Sequence, residues 1–137
     1  MAAAPLLVVG IDEADPGPLL EWAAREALRW QGSLLIVHTW DGLIDPDLTV
    51  PSPRLRRAAE AVLAQAVEAA RTLGVTVQGR LCEGFAGDAL VEQSQGAALL
   101  IVGTAHRRRL SEAWHGSVSQ HCARHATCPL VLVPVAA

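Results

Sequence analysis

The sequence predicts an α/β protein, an open sheet of five parallel strands with helices on both faces. Three observations predict it. Four short apolar runs and one alternating stretch, all of strand length, recur along the chain, separated by stretches with helical spacing or turn residues. The order strand, helix, strand repeats throughout, and that alternation requires right-handed crossovers and hence a parallel sheet. Apolar residues make up 51% of the 137 positions, enough for a real core, and the length fits one domain over residues 1–137.

The first strand is Leu6 to Ile11, compact and rich in β-branched residues. Asp12 follows at its carboxyl end, where ligands sit in open parallel sheets. An acid there can accept hydrogen bonds from ribose hydroxyls, or it can brace the loop. Pro16-Gly17-Pro18 turns the chain, and Pro18 suits a first helical turn. Leu19, Ala23, Ala27 and Trp30 then recur at three- and four-residue steps, one face of an amphipathic helix that Gly32 ends. Trp22 and Trp30 are expected to pack against the sheet.

Ser33 to Val37 is the second strand, running into His38-Thr39-Trp40; His38 reads as a satisfied, partly buried histidine. Asp41 to Pro53 is rich in Asp and Pro and reads as an irregular connection, long enough to cover a ligand site. Arg54 to Leu73 is the clearest helix. Leu55, Ala59, Val62, Ala66, Ala70 and Leu73 form its stripe, Gly74 closes it, and its basic start is a solvated surface. Val75 to Leu81 alternates as an edge or half-buried strand does. Gly84-Phe85-Ala86-Gly87 turns the chain into a short helix running to about Gln95, and Gly96 ends it.

Ala97 to Val102 is six apolar residues, the texture of a strand buried on both faces. Gly103 is expected to end it, before a polar, Arg-rich loop. The loop closes on Gly116-Ser117, where a short helical pattern begins. Cys128-Pro129 stops that pattern, and Leu130 to Val135 is the fifth strand. Strand, glycine turn, loop and glycine at a helix start is how α/β proteins build an anion pocket. Backbone N–H groups from Gly103-Thr104 and from Gly116-Ser117-Val118 can hold phosphates there. Ser117 can cap the helix or donate its hydroxyl to a phosphate.

This last stretch resembles the C-terminal half of a universal stress protein domain. The family motif is glycine, two residues, glycine, nine residues, then glycine followed by serine or threonine. Here Gly103, Gly116 and Ser117 stand at that spacing, and His106 replaces the second glycine. SVSQHCARHATCPLVLV, the N-terminal LLVVGID and the LLIVHTW before the middle of the chain are also similar to the family, so the resemblance covers nearly the whole chain. It implies a Rossmann-like sheet of strand order 3-2-1-4-5, whose switch point between strands 1 and 4 brings Asp12, Gly103 and Gly116 around one crevice. It further implies that Asp12 contacts the nucleotide, that the backbone of Thr39 borders the adenine and that Gly84 lies near the ligand. The glycine-serine that follows this aspartate in the family is Glu13-Ala14 here. His106 adds a side chain and disfavours positive φ, which opposes close approach of the ligand. Protonated, it can instead donate to a phosphate together with Arg107, Arg108 or Arg109.

Composition excludes several chemistries. All 11 cations among Lys and Arg are Arg, so a P-loop lysine, a Schiff-base lysine and a lysine general base are ruled out. The formal net charge of −3 and the short arginine run without aromatic interleaving argue against a nucleic-acid partner. No Ser-His-Asp or Cys-His order, GxGxxG, GxSxG or Walker A stands in the chain. Cys82, Cys122 and Cys128 are an odd set, read as reduced cytosolic thiols. MAAAPLLVVG is a poor signal peptide, and no apolar run approaches spanning length, so a cytoplasmic protein without membrane attachment is expected. His121, Cys122, His125 and Cys128 lack the second ligand pair of a zinc site, and no metal is expected beyond Mg²⁺ accompanying ATP.

The expected function, through the resemblance, is a non-enzymatic regulator of stress responses that binds ATP or AMP, with at most weak ATP hydrolysis. The alternatives are a nucleotide-free dimeric scaffold for a protein partner, and an ATP-using hydrolase or transferase. A homodimer through Leu130 to Val135 is expected, because an apolar edge strand invites pairing and family members pair it across a two-fold axis; Pro134 limits that pairing.

Overall fold

The computed structural model describes residues 3–14, 16–40, 52–105 and 117–135, with backbone alone at Ala105 and Val135. Its elements alternate as β1 (Leu6–Ile11), α1 (Gly17–Arg29), β2 (Ser33–Trp40), α2 (Pro53–Thr72), β3 (Thr76–Glu83), α3 (Ala86–Gln93), β4 (Leu99–Ala105), α4 (Ser119–His125) and β5 (Leu130–Val135). The strands form one parallel sheet of order β3-β2-β1-β4-β5. This is the topology that the resemblance implied.

The sheet separates two cores, and strand parity decides which residue enters which. Leu7, Val9 and Ile11 of β1, Leu34 and Ile36 of β2, and Leu99 and Ile101 of β4 face α1 and α2. Val8, Leu35, Val37, Leu100 and Val102 face the opposite side, against α3 and α4. A strand covered on both faces has no solvent side, so the central runs are continuously apolar rather than alternating. Each fully buried Leu, Ile or Val contributes about 1.5–3 kcal/mol.

Local signals explain the helix ends. Ser52 accepts from the Leu55 N–H at 3.3 Å and Pro53 follows in the first turn, a cap-plus-proline start to α2. Gly74 and Gly96 adopt φ of 92° and 80° after α2 and α3. After α1 the positive φ belongs to Gln31, at 55°, not to Gly32. Gly32 is needed for a different reason: a Cβ there would sit 2.4 Å from the Pro5 carbonyl oxygen. That oxygen also accepts from the Ser33 N–H at 3.0 Å, which opens the β1–β2 ladder.

Three expectations about packing are corrected. Trp30 is 40% exposed and donates from Nε1 to Glu26, whereas Trp22 does pack against the core. Leu55 and Leu73, assigned to the buried stripe of α2, are exposed, because they lie in its first turn and at its C-cap, beyond the reach of the sheet. Ala59, Ala66 and Ala70 carry the contact instead, with Val62, Leu63 and Val67 half-buried beside them. Small residues let the helix sit close to β3, where a Cβ on Gly79 would meet Val67 at 2.6 Å.

Candidate functional site

The carboxyl ends of the parallel strands share one edge, and the switch point lies between β1 and β4. Asp12 follows β1 directly, and its Oδ1 accepts from the Ala14 N–H at 2.9 Å, an Asx turn that bends the chain away from the strand. Thr39 is the penultimate residue of β2, register partner of Cys82. Gly84 follows β3 with φ of 110° and donates its N–H to the Trp40 carbonyl at 2.9 Å. The loop into α3 is therefore tied to the end of β2. Asp12, Thr39 and Gly84 thus stand on adjacent strand ends.

Gly103 differs from expectation. It does not end its strand: β4 continues to Ala105, with Gly103 paired to Val133 and Thr104 to Pro134. The strand window is shifted by two to three residues, from Ala97–Val102 to Leu99–Ala105, since pairing with β5 carries the extended backbone through the glycine. Gly103 and Thr104 therefore lie inside the ladder rather than in a turn. His106, Arg107 and Gly116 lie outside the described residues, as does most of the connection from Asp41 to Pro53. Ser117 and Val118 form a π-helical turn that leads into α4. Val118 is buried in the core under α3 and α4, and Ser117 is exposed. Asp12, Thr39, Gly84, Gly103 and Thr104 thus lie along the carboxyl edge, and Ser117 and Val118 open α4.

His38 is more buried than expected, at 2% exposure. Its Nδ1 lies 3.1 Å from the Ile11 carbonyl oxygen, while Nε2 is buried with no hydrogen-bond partner among the described residues. The sequence contains a signal for this bond, a lone imidazole in an apolar strand, but not its partner, which only the β1–β2 register supplies.

Cys82, Cys122 and Cys128 are free thiols. Burial pushes the Cys122 thiol up to about 11, and neighbouring Cys128 adds to that shift. Burial also raises Cys82, with Arg80 opposing and Glu92 reinforcing. Thiols held protonated are poor nucleophiles. His121 and His125 do share a face of α4, with ring centroids 4.5 Å apart, and His121 Nε2 lies 3.0 Å from Asp88 on α3. No group of three ligating side chains arranged for a metal occurs among the described residues. A cleft of about 250 Å³ between the start of α1 and α2, lined by Glu13, Ala14, Pro16, Gly17, Val62 and Gln65 among others, was not foreseen. No helix among the described residues is long and apolar enough to cross a membrane.

A sequence model described as the universal stress protein family matches residues 6–134. The chain is 30% identical over 138 aligned positions to universal stress proteins from two strains of Mycobacterium tuberculosis, covering 93% of this chain and 46% of each relative. It therefore spans about half the length of the curated relatives it matches. Among solved structures, a universal stress protein in complex with cAMP superimposes with a TM-score of 0.74 at 25% identity, covering 97% of this chain and 98% of that one. A universal stress protein from Archaeoglobus fulgidus gives a TM-score of 0.75 at 22% identity, covering 94% of this chain and 93% of that one.

Proposed function

The chain belongs to the universal stress protein family, and from that premise we propose that it is an adenine-nucleotide-binding regulator of stress responses with no catalytic role of its own. The observation that carries the reading is the carboxyl edge at the switch point, to which Asp12, Thr39, Gly84, Gly103 and Thr104 all belong. The cAMP complex of a 25% identical relative supports an adenine nucleotide as the ligand class.

In this reading Asp12 accepts hydrogen bonds from ribose hydroxyls, the Thr39 backbone borders adenine and Gly84 gives the ligand close approach. Gly103 and Thr104 border the phosphates from the end of β4, Gly116, Ser117 and Val118 surround them where α4 begins, and His106 and Arg107 act on phosphate charge. ATP or AMP is the ligand, with Mg²⁺ only alongside ATP. In this reading the domain works in the cytoplasm. It forms a homodimer through β5, whose Leu132 is 45% exposed at the sheet edge.

His106 in place of glycine favours a second reading, a nucleotide-free dimeric scaffold for a protein partner. Calorimetric titration of ATP and AMP into the wild type, His106→Gly and Gly116→Val at two pH values separates the readings. The nucleotide reading predicts binding by the wild type, tighter binding by His106→Gly and none by Gly116→Val. Equal affinities in all three would move the site away from the loop, and no binding in any of them would favour the scaffold. Mass spectrometry of nucleotide released from the purified native protein identifies the ligand, and a steady ATP turnover abolished by Gly116→Val would instead favour an enzyme.

A further inference from the structure

The buried imidazole of His38 interrupts a strand whose preceding residues, Leu34 to Val37, are all apolar and buried. An apolar side chain would fill this position without desolvating two ring nitrogens. The bond from Nδ1 distinguishes histidine here. Its acceptor, the Ile11 carbonyl oxygen, cannot donate, so Nδ1 carries the proton of this bond.

The acceptor is also the carbonyl of the peptide whose nitrogen belongs to Asp12. Ile11 and His38 are register partners at the end of the β1–β2 ladder, so the bond holds the last peptide plane of β1 just before the chain leaves the sheet. On the other side of Asp12, its own Oδ1 accepts from the Ala14 N–H. The two bonds bracket the Asp12 Cα. Rotation of the Ile11–Asp12 peptide would swing the carboxylate, and the His38 bond opposes that rotation. The same stretch of β2 holds the Gly84 loop through the Trp40 carbonyl, so one strand end orients both flanks of the edge.

We propose that His38 is a positioning residue: through the Ile11–Asp12 peptide it aims the Asp12 carboxylate at the ribose hydroxyls of an adenine nucleotide, without touching the ligand. The inference rests on the nucleotide reading above.

The test titrates AMP and 2′-deoxy-AMP calorimetrically into the full chain as wild type, His38→Asn, His38→Gln and His38→Leu, with long-range ¹H–¹⁵N NMR of the wild-type imidazole. The asparagine amide nitrogen sits one bond from Cγ, as Nδ1 does, and can donate to Ile11. The glutamine amide reaches instead toward the place of Nε2. Leucine keeps apolar bulk with neither group. His38→Leu and His38→Gln should weaken AMP about tenfold, the worth of one hydrogen bond to a charged group, and His38→Asn should stay within about twofold of wild type. The loss should be larger for AMP than for 2′-deoxy-AMP, and the NMR should find the proton on Nδ1.

Equal losses for the two ligands would mean a general distortion and overturn the proposal. So would rescue by glutamine and not asparagine, or a proton on Nε2 and none on Nδ1. Wild-type affinity in His38→Leu would overturn it while leaving the nucleotide reading intact. A wild type that binds neither ligand overturns the nucleotide reading, and the role of His38 with it. If His38→Leu does not fold, the comparison of asparagine with glutamine decides.

Discussion

Replacing Gly32 with alanine puts a methyl where the β1–β2 ladder begins. Its Cβ would lie 2.4 Å from the Pro5 carbonyl oxygen and 3.1 Å from Pro5 Cγ, and ordinary contact starts at 3.4 Å. Pro5 and Gly32 must separate by about 1 Å, and the obstacle is backbone, which cannot rotate aside. The Ser33 N–H to Pro5 oxygen bond, 3.0 Å long, then stretches toward 4 Å and is lost. The lost bond costs about 1 kcal/mol. Displaced packing adds about 1–2 kcal/mol, and the stiffer unfolded chain returns about 0.5 kcal/mol. The net is about 2 kcal/mol. With an unfolding entropy of about 2.1 cal/mol/K per residue over the chain, that lowers Tm by about 7 °C. Gly74→Ala is the control, since its φ of 92° is strained for alanine but nothing lies within 4 Å of the new Cβ. Strain alone costs about 1–2 kcal/mol, a drop of about 3–7 °C. Calorimetric melting of both variants checks this. A Gly32→Ala Tm within about 2 °C of wild type would refute the steric reasoning.

Other outcomes follow from single residues. Gln31→Gly should raise stability by about 0.5 kcal/mol in urea titration, because it relieves the φ of 55° at a cost in chain entropy. Ser52→Ala should lose about 1 kcal/mol by the same assay, with the loss of helical signal confined to the start of α2. Cys122 makes stability depend on pH in the alkaline range. Its folded thiol titrates at about 11 against 9.0 for an ordinary thiol, so the unfolded state releases its proton first. The contribution is whole below pH 9.0 and lost as pH rises toward 11. Urea midpoints measured across that window should fall in the wild type and fall less in Cys122→Ala.

The sheet was legible because its chemistry is local. Leu6–Ile11 and Leu130–Val135 are apolar runs bounded by turn residues, and they appear as strands with the expected limits. The boundaries that moved are those decided by a partner strand. Gly103 reads as a stop in sequence, yet β5 pairs alongside and extends β4 to Ala105. The roles of Gly32 and Gln31 were exchanged, because sequence shows which residue tolerates a positive φ but not which one faces the Pro5 carbonyl. Ser52-Pro53 did carry a readable start signal for α2 that the apolar stripe alone places one residue late. Of the candidate site, Asp12 was legible as the residue at the end of β1, whereas Thr39 and Gly84 entered through the family resemblance, since β2 and β3 run on to Trp40 and Glu83, past the expected ends at Val37 and Leu81. The bond from His38 to Ile11 was not legible, because it spans 27 residues and exists only once β1 and β2 are in register.

The most direct test of nucleotide binding at this edge is a ¹H–¹⁵N amide correlation spectrum recorded during titration with AMP. The account predicts that shifts concentrate at Asp12, Thr39, Gly84, Gly103, Thr104, Ser117 and Val118, while the amides of Gln65 and Ala69 beside the α1–α2 cleft stay in place. Saturating AMP that moves none of the edge amides, or moves those of the cleft instead, would contradict it.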